Sequence, residues 1–195
     1  LRNSAYWTQD YEKCNGVIVR GVKVYSHANW NNDGLDIDSR NVVVSDCYID
    51  CDDDALCLKS DTDTPCENVT VTNCVLKSNC NAIKFGTSSY SGFKNVTISN
   101  CTIDRASEDH IRQWYKNYPW IGTKHKTVVA GIALESVDGG IIENVSISDI
   151  AMQGVQTPIF VRLGDRKRTF SKQMSRINDV MISRIIARSE GKIAC

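Results

Sequence analysis

"NVTVTNC", residues 68–74, decides the fold. Val69 and Val71 alternate with Thr70 and Thr72, the period-two pattern of a strand with one dry face and one wet face. The phrase returns along the chain, as "GVIVRGV" at 16–22, "NVVVSDC" at 41–47, "NVTISNC" at 95–101, "NVSISDI" at 144–150 and "DVMISRI" at 179–185. Successive copies start 25, 27, 27, 49 and 35 residues apart. A second short apolar strand lies between copies, at "GLDIDS" 34–39, "ALCLKS" 55–60, "AIKFGT" 82–87, "GIALES" 131–136 and "PIFVRL" 158–163. Two strands per repeat, with a repeat of roughly 20–30 residues, mark a solenoid. The strands are rich in β-branched residues and lack helical periodicity, which makes the solenoid a parallel β-helix. The expected architecture is all-β: a single-stranded, right-handed parallel β-helix forming one domain over 1–195.

Coils of such a fold stack at the strand spacing of ~4.8 Å, so equivalent residues form columns. Val42/Val44, Val69/Val71, Val96/Ile98 and Val145/Ile147 are expected to point inward. Cys47, Cys74 and Cys101 form one column that Ile150 and Ile185 continue, so these cysteines read as buried thiols acting as small hydrophobes rather than as disulfides. Asn41, Asn68, Asn95 and Asn144 form another column. Asn68, Asn95 and Asn144 also open N-x-S/T sequons, but stacked turn asparagines that bond backbone and one another account for them.

Composition sets the outer bounds. The chain has 195 residues, 42% hydrophobic, with 23 basic and 23 acidic side chains. Zero net charge argues against nucleic acid or a membrane surface as partner. No apolar run approaches the roughly 18 residues of a membrane span, and no charged-then-apolar leader opens the chain. Nine cysteines, an odd number, do not make a compact disulfide framework, and no paired CxxC elements suggest zinc. Neither end reads as a cap over the last coil, so coils are expected to be missing at one or both ends.

The acids are clustered. "CDDDALCLKS", residues 51–60, places Asp52, Asp53 and Asp54 directly before an inward-alternating run, with Asp50 just upstream. Aligning the second strands puts Leu35/Ile37, Leu56/Leu58, Ile83/Phe85, Ile132/Leu134 and Ile159/Val161 inside. The residues entering that strand on successive coils are then Asp33, Asp54, Asn81 and Ala130. Asp33 and Asp54 stack one coil apart, Asp53 shares their lip, and the three are expected on one external patch. Carboxylates that close titrate as a coupled set, so one can stay protonated as general acid while others hold a water as general base. Those are the roles glycoside hydrolysis requires. A solvated turn and a calcium site compete for the same residues.

At these positions the chain resembles the family 28 glycoside hydrolases, the polygalacturonase family. "NNDGLD" at 31–36 is similar to the family's N-T-D-G-x-D motif, and "DDDALCLKS" at 52–60 to its G/Q-D-D motif one coil later. The resemblance implies that Asp53 is the general acid and that Asp33 and Asp54 position and activate the water. It also implies inversion of configuration and no metal or other cofactor. Two motifs depart from the family. Its G-H-G histidine falls on Asn81, and its R-I-K arginine and lysine, which grip a galacturonate carboxylate, fall on Ala133 and Glu135. Either Lys84 or Arg162 supplies that grip from a neighbouring coil, or the sugar there is not a free galacturonate.

The long 49-residue spacing comes from an insertion at about 105–127, "RASEDHIRQWYKNYPWIGTKHKT". It leaves the coil at the turn that carries Asp53 and Asp54 earlier and is expected to overhang the acids. It holds His110, Arg112, Trp114, Tyr115, Tyr118 and Trp120. Trp114 and its aromatic neighbours, like Trp30 before the first motif, either stack on sugar rings or pack the loop. His27, His110 and His125 show no metal-ligand spacing and read as surface histidines. The function expected is a secreted or periplasmic, monomeric glycosidase. Its substrate would be a pectin-like or related acidic polysaccharide, held by Asn81, Lys84, Glu135, Arg162 and Trp114. A calcium-dependent lyase and a non-catalytic glycan-binding β-helix are the alternatives.

Overall fold

A computed structural model of the chain describes residues 1–29, 31–108, 128–167 and 173–190. The described residues form twelve strands: β1 Asp10–Arg20, β2 Lys23–Ser26, β3 Leu35–Ser45, β4 Tyr48–Cys51, β5 Leu56–Ser60, β6 Cys66–Thr72, β7 Val75–Ser78, β8 Asn81–Ser89, β9 Phe93–Arg105, β10 Val128–Ser136, β11 Ile141–Leu163 and β12 Arg176–Ser189. Every pairing is parallel. Among the described residues there is no helix long and apolar enough to cross a membrane.

The registers are those of the repeat. Val42, Val69, Val96, Val145 and Val180 are partners on one face, running through β3, β6, β9, β11 and β12. Ile49, Leu76, Ile103 and Met152 are partners on a second face, where β4, β7 and the later parts of β9 and β11 stack. Leu35, Leu56, Ile83, Ile132 and Ile159 follow one another on a third, through β3, β5, β8, β10 and β11. The inward residues of all three faces meet in one continuous core, with Phe85 edge-on to Phe93 at 5.4 Å between ring centroids. Each buried aliphatic side chain contributes about 1.5–3 kcal/mol relative to its exposed state. The last described coil is half-covered: Ile159, Val180, Ile182 and Ile185 pack against the core from one side, and Val161, expected inside, is exposed.

Two of the three corners are made by residues in the left-handed region. Gly16, Asn41, Asn68, Asn95, Asn144 and Asp179 turn the chain into the first face, all with φ between 50° and 85°. Gly21, Asp46, Asn73, Asn100, Asp149 and Arg184 turn it into the second, with φ between 51° and 67°. Asparagine, aspartate and glycine tolerate this region best, which is why the repeat carries them there. The asparagine column is also a ladder. Each Nδ2 donates to the Oδ1 one coil back, Asn41 to Asn15 at 2.6 Å, Asn68 to Asn41 at 3.0 Å, Asn95 to Asn68 at 3.0 Å and Asn144 to Asn95 at 2.8 Å.

The thiols sit where the repeat puts them. Cys47, Cys74 and Cys101 are buried, and their Sγ atoms donate to the carbonyls of Ser45, Thr72 and Ser99 at 3.2–3.3 Å. Ile150 pairs with Cys101 and Ile185 with Ile150. All eight described cysteines are free thiols. The third corner, from the second face to the third, is not built from repeated left-handed residues. It is irregular, and it carries the acids.

Candidate active site

The register at the third corner is fixed by the strands that follow it. Leu35 pairs with Leu56 and Leu56 with Ile83, while Gly34 N donates to Asp54 O at 2.8 Å and Ala55 N to Asn81 O at 2.9 Å. Asp33, Asp54 and Asn81 therefore enter the third face one above the other. Only glycine fits at Gly34, because a Cβ there would collide with Ile49 Cγ2 and the Ala55 carbonyl. The backbone of the acidic turn is fastened from below: Ser78 Oγ donates to Asp53 O at 2.6 Å, and the buried Cys51 thiol to the Asp53 and Asp54 carbonyls at 3.3 and 3.4 Å.

The acids are not the open external patch that the alternation implies. Asp33, Asp53 and Asp54 are only 5%, 7% and 2% exposed, and the outward-facing Asp36 and Cys57 are buried too. They are organised around two lysines. Lys84 Nζ lies 2.7 Å from Asp54 Oδ2, while Asp54 Oδ1 accepts from Asn81 N at 3.0 Å and Asn81 Nδ2 at 2.8 Å. Burial alone would push the Asp54 carboxyl up, but the Lys84 ammonium and the Asn81 amide outweigh it and hold it below the ordinary range. Asp53 Oδ1 accepts from Asp54 N at 2.9 Å.

One coil back, Lys59 Nζ lies 2.6 Å from Asp36 Oδ2 and 3.5 Å from Asp33 Oδ2, and it sits 4.4 Å over the Trp7 ring. Burial, with the negative charge of Asp33 next, pushes the Asp36 carboxyl up to about 8 against the pull of Lys59. The corner thus holds one carboxyl kept ionised and one kept protonated at neutral pH. Lys59, Asp36 and Trp7 were not among the residues singled out from sequence. The signal for the first two was present, since both face outward in the alternation beside the acidic motifs. Trp7 has no such signal.

Among the described residues, two groups of side chains could hold an ion, Asp33 with Asp36 and Cys57, and Asp53 with Asp54 and Cys80, the ligand atoms of each group lying within 4.8 Å of one another. The donor sets suit calcium poorly. Calcium takes oxygen ligands, six to eight of them. Each group offers a thiol instead, burial pushes both Cys57 and Cys80 well above the usual thiol range, and each group already has a lysine against a carboxylate.

The remaining expected residues fall on the same face or nearby. Glu135 pairs in register with Arg162, and Ala133 with Lys84 and Phe160. Arg162 Nη1 is 4.0 Å from Glu135 Oε2. Burial pushes the Glu135 carboxyl up. Lys84 is spent on Asp54, so it does not stand ready for a substrate carboxylate. Trp114 and the other aromatic residues of the insertion, with His110, Arg112, His125 and Trp30, lie outside the described residues. The start of the insertion does run at the acidic turn: Ala106 N donates to Ser78 O at 3.2 Å, and Ser107 N to Asp50 Oδ1 at 3.0 Å. Asn79 Nδ2 donates both to Asp52 Oδ1 and to Glu108 O. His27 is not a surface histidine. It is 2% exposed, and its Nε2 lies 3.0 Å from Asp50 Oδ1.

No protein-family model matches the chain, and no curated protein matches it. Among solved structures it is similar to the polygalacturonase from Erwinia carotovora ssp. carotovora, with a TM-score of 0.62 and 14% identity over 100% of this chain and 55% of that one. The likeness is one of fold and makes the coil a right-handed parallel β-helix. The chain spans about half the length of that polygalacturonase.

Proposed function

We propose that the chain is a glycoside hydrolase acting on a pectin-type polysaccharide by an inverting mechanism that uses carboxyl groups alone. The observation that carries this reading is the stacking of Asp33 on Asp54, with Asp53 beside them, at one turn of a β-helix of the polygalacturonase type. Inverting hydrolysis needs an acid and a base on opposite sides of the scissile bond. Asp54, held ionised by Lys84 and Asn81, suits the base, and Asp33 beside Lys59 shares the water with it. Asp53 is the acid. It gives its proton to the glycosidic oxygen as the C1–O bond breaks. The water held by Asp33 and Asp54 adds its oxygen to C1 from the other face and passes its proton to the base. A secreted or periplasmic location fits such a substrate, and the enzyme would act as a monomer.

The test is reducing-end release from pectic polysaccharides by the wild type and by Asp53→Asn. General acid–base groups contribute about 10²–10⁴-fold, so the variant should lose at least a hundredfold in kcat with its melting temperature little changed. The product should carry the inverted anomeric configuration when read by NMR at early times. Equal release by both proteins removes the proposal.

A further inference from the structure

The second face carries charge of the sign opposite to that of the acidic corner. It is built from β2, β4, β7 and the later parts of β9, β11 and β12. Four cations stand on these strands, Lys23, Lys77, Arg105 and Arg188, against two acids, Asp50 and Asp104. Both acids are already satisfied. Asp50 is buried against His27, and Asp104 accepts from Gln153 Nε2 at 2.9 Å and from the backbone N of Arg105 at 2.8 Å. The four cationic side chains make no hydrogen bond or ion pair with any acid among the described residues.

A groove of about 560 Å³ runs along this face. Val75, Thr102 and Ala151 follow one another along its floor, between Tyr48 at one end and Ile186 at the other. Lys77, Asp104, Gln153 and Arg188 line its side. The groove is open: Tyr48 is 38% and Ile186 76% exposed, and Thr102, Ala151, Gln153 and Arg188 are exposed with them. Four coil steps of ~4.8 Å separate Tyr48 from Ile186, a length of about 19 Å. Lys77 and Arg188 lie three steps apart, about 14 Å.

We infer that this groove is a second binding site, separate from the acidic corner, for one chain of a linear polysaccharide that bears carboxylates. Lys77 and Arg188 each take a carboxylate. Tyr48 and Ile186 cover C–H surfaces of the sugar rings, and Thr102 and Gln153 bond their hydroxyls. Two other polyanions fit less well. A DNA duplex presents one charge per ~1.7 Å of its axis, far denser than these cations, and a chain of zero net charge does not draw it in. A bilayer takes a contiguous apolar patch, whereas Tyr48 and Ile186 stand far apart with smaller residues between them. Binding here requires no turnover and stands whether or not the acids of the third corner cleave a sugar chain.

Isothermal titration calorimetry on Asp53→Asn, which keeps turnover from intruding, tests the site. The probes are oligogalacturonides long enough to bridge Lys77 and Arg188, and the same oligomers fully methyl-esterified. The free acid should bind at least about tenfold more tightly than the ester, and its affinity should fall as salt is raised. The double variant Lys77→Glu/Arg188→Glu should lose this site from the isotherm, its affinity weakened at least about tenfold, while any site at the acidic corner survives. Lys94→Glu makes the same kind of charge change off this face and should leave the site intact. Melting temperatures confirm that each variant is folded. Failure of the free acid to bind, equal binding of the ester, an isotherm unmoved by the double variant, or an equal loss from Lys94→Glu overturns the inference. So does tighter binding of double-stranded DNA or of anionic phospholipid vesicles than of the oligogalacturonide.

Discussion

Lys84 reaches over from the coil above to place Nζ 2.7 Å from Asp54 Oδ2, and the two side chains are only 15% and 3% exposed. A buried pair of this kind costs more to break than it gains when formed, because the survivor keeps its charge without a partner. Lys84→Met should therefore destabilise the protein by about 3–5 kcal/mol at neutral pH. The pH dependence fixes the cause. In the wild type Asp54 titrates below its unfolded value, so its contribution is present above that value and is lost only as pH falls through the folded one. Without Lys84, burial pushes Asp54 up instead, and the folded state then binds more protons than the unfolded one. The variant should gain stability relative to wild type as pH falls from neutral towards about 5. Urea midpoints across that range check it. A constant difference would mean that packing, not charge, was lost.

Asp36 makes the opposite contribution. Burial raises its folded pKa to about 8 from 3.8, so between those values the native state holds a proton that the unfolded chain has released. Stability therefore falls as pH rises through that window. Asp36→Asn keeps the shape and removes the titration, while Lys59 retains Asp33 at 3.5 Å. The variant should show a flatter stability–pH profile and overtake the wild type near pH 8. Thermal melts in matched buffers decide it, and parallel profiles would refute the assignment.

The coil was legible because solenoid registers repeat: once Val69 was aligned with Val96 and Val42, the partners on that face followed, and Leu35–Leu56–Ile83 came with the same period. The repeat has three strands rather than the expected two, because the short stretches carrying Ile49, Leu76 and Ile103 follow the first strand with at most two residues between and do not stand apart in the pattern. The asparagine ladder was legible for the same reason. The second left-handed column was not, because Gly21, Asp46, Asn73 and Arg184 share a conformation without sharing a side chain. Nor could alternation show that Cys57 and Asp36, which face outward, are covered. Alternation reports direction, and coverage depends on what packs over a face. The partnering of Lys84 with Asp54 and of Lys59 with Asp36 has the same origin. A lysine stem reaches across a coil, and register alone does not choose which neighbouring acid it meets. His27 was misplaced because a lone polar residue at a corner has no repeat partner to reveal its burial against Asp50.

The left-handed corner gives a cleaner energetic comparison than the core. Asn68 has φ 55°, donates to Asn41 and accepts from Asn95. Asn68→Gly loses those two exposed bonds but suits the backbone; Asn68→Ala loses the same bonds and must also place a Cβ in the left-handed region. The alanine variant should be the less stable by about 1 kcal/mol, within the 1–2 kcal/mol that this region costs an ordinary residue. Denaturant midpoints of the two variants measure the difference directly. Equal midpoints would place the value of the asparagine in the ladder alone.

Cys57 and Cys80 lie beneath the candidate catalytic carboxylates, and this makes their thiols gauges of how tightly that corner is closed. Both are buried, and desolvation, with the nearby aspartates second, raises them well above the usual thiol range. Alkylation requires access and a thiolate, and the native corner denies both. Cys14, partly exposed on β1, is open to the reagent. A short iodoacetamide pulse on the native protein, read by peptide mass spectrometry, should label Cys14 and spare Cys57, Cys80 and the Cys47–Cys74–Cys101 column. The same pulse in denaturant should label all nine. Lys84→Met should then raise labelling at Cys80 before it affects the column, because the unpaired Asp54 sits against Cys80 and not against the far corner. Wild-type labelling of Cys57 or Cys80 at the rate of Cys14 would mean that the acidic turn opens freely, and the buried charge pairs that hold Asp54 ionised could not then persist.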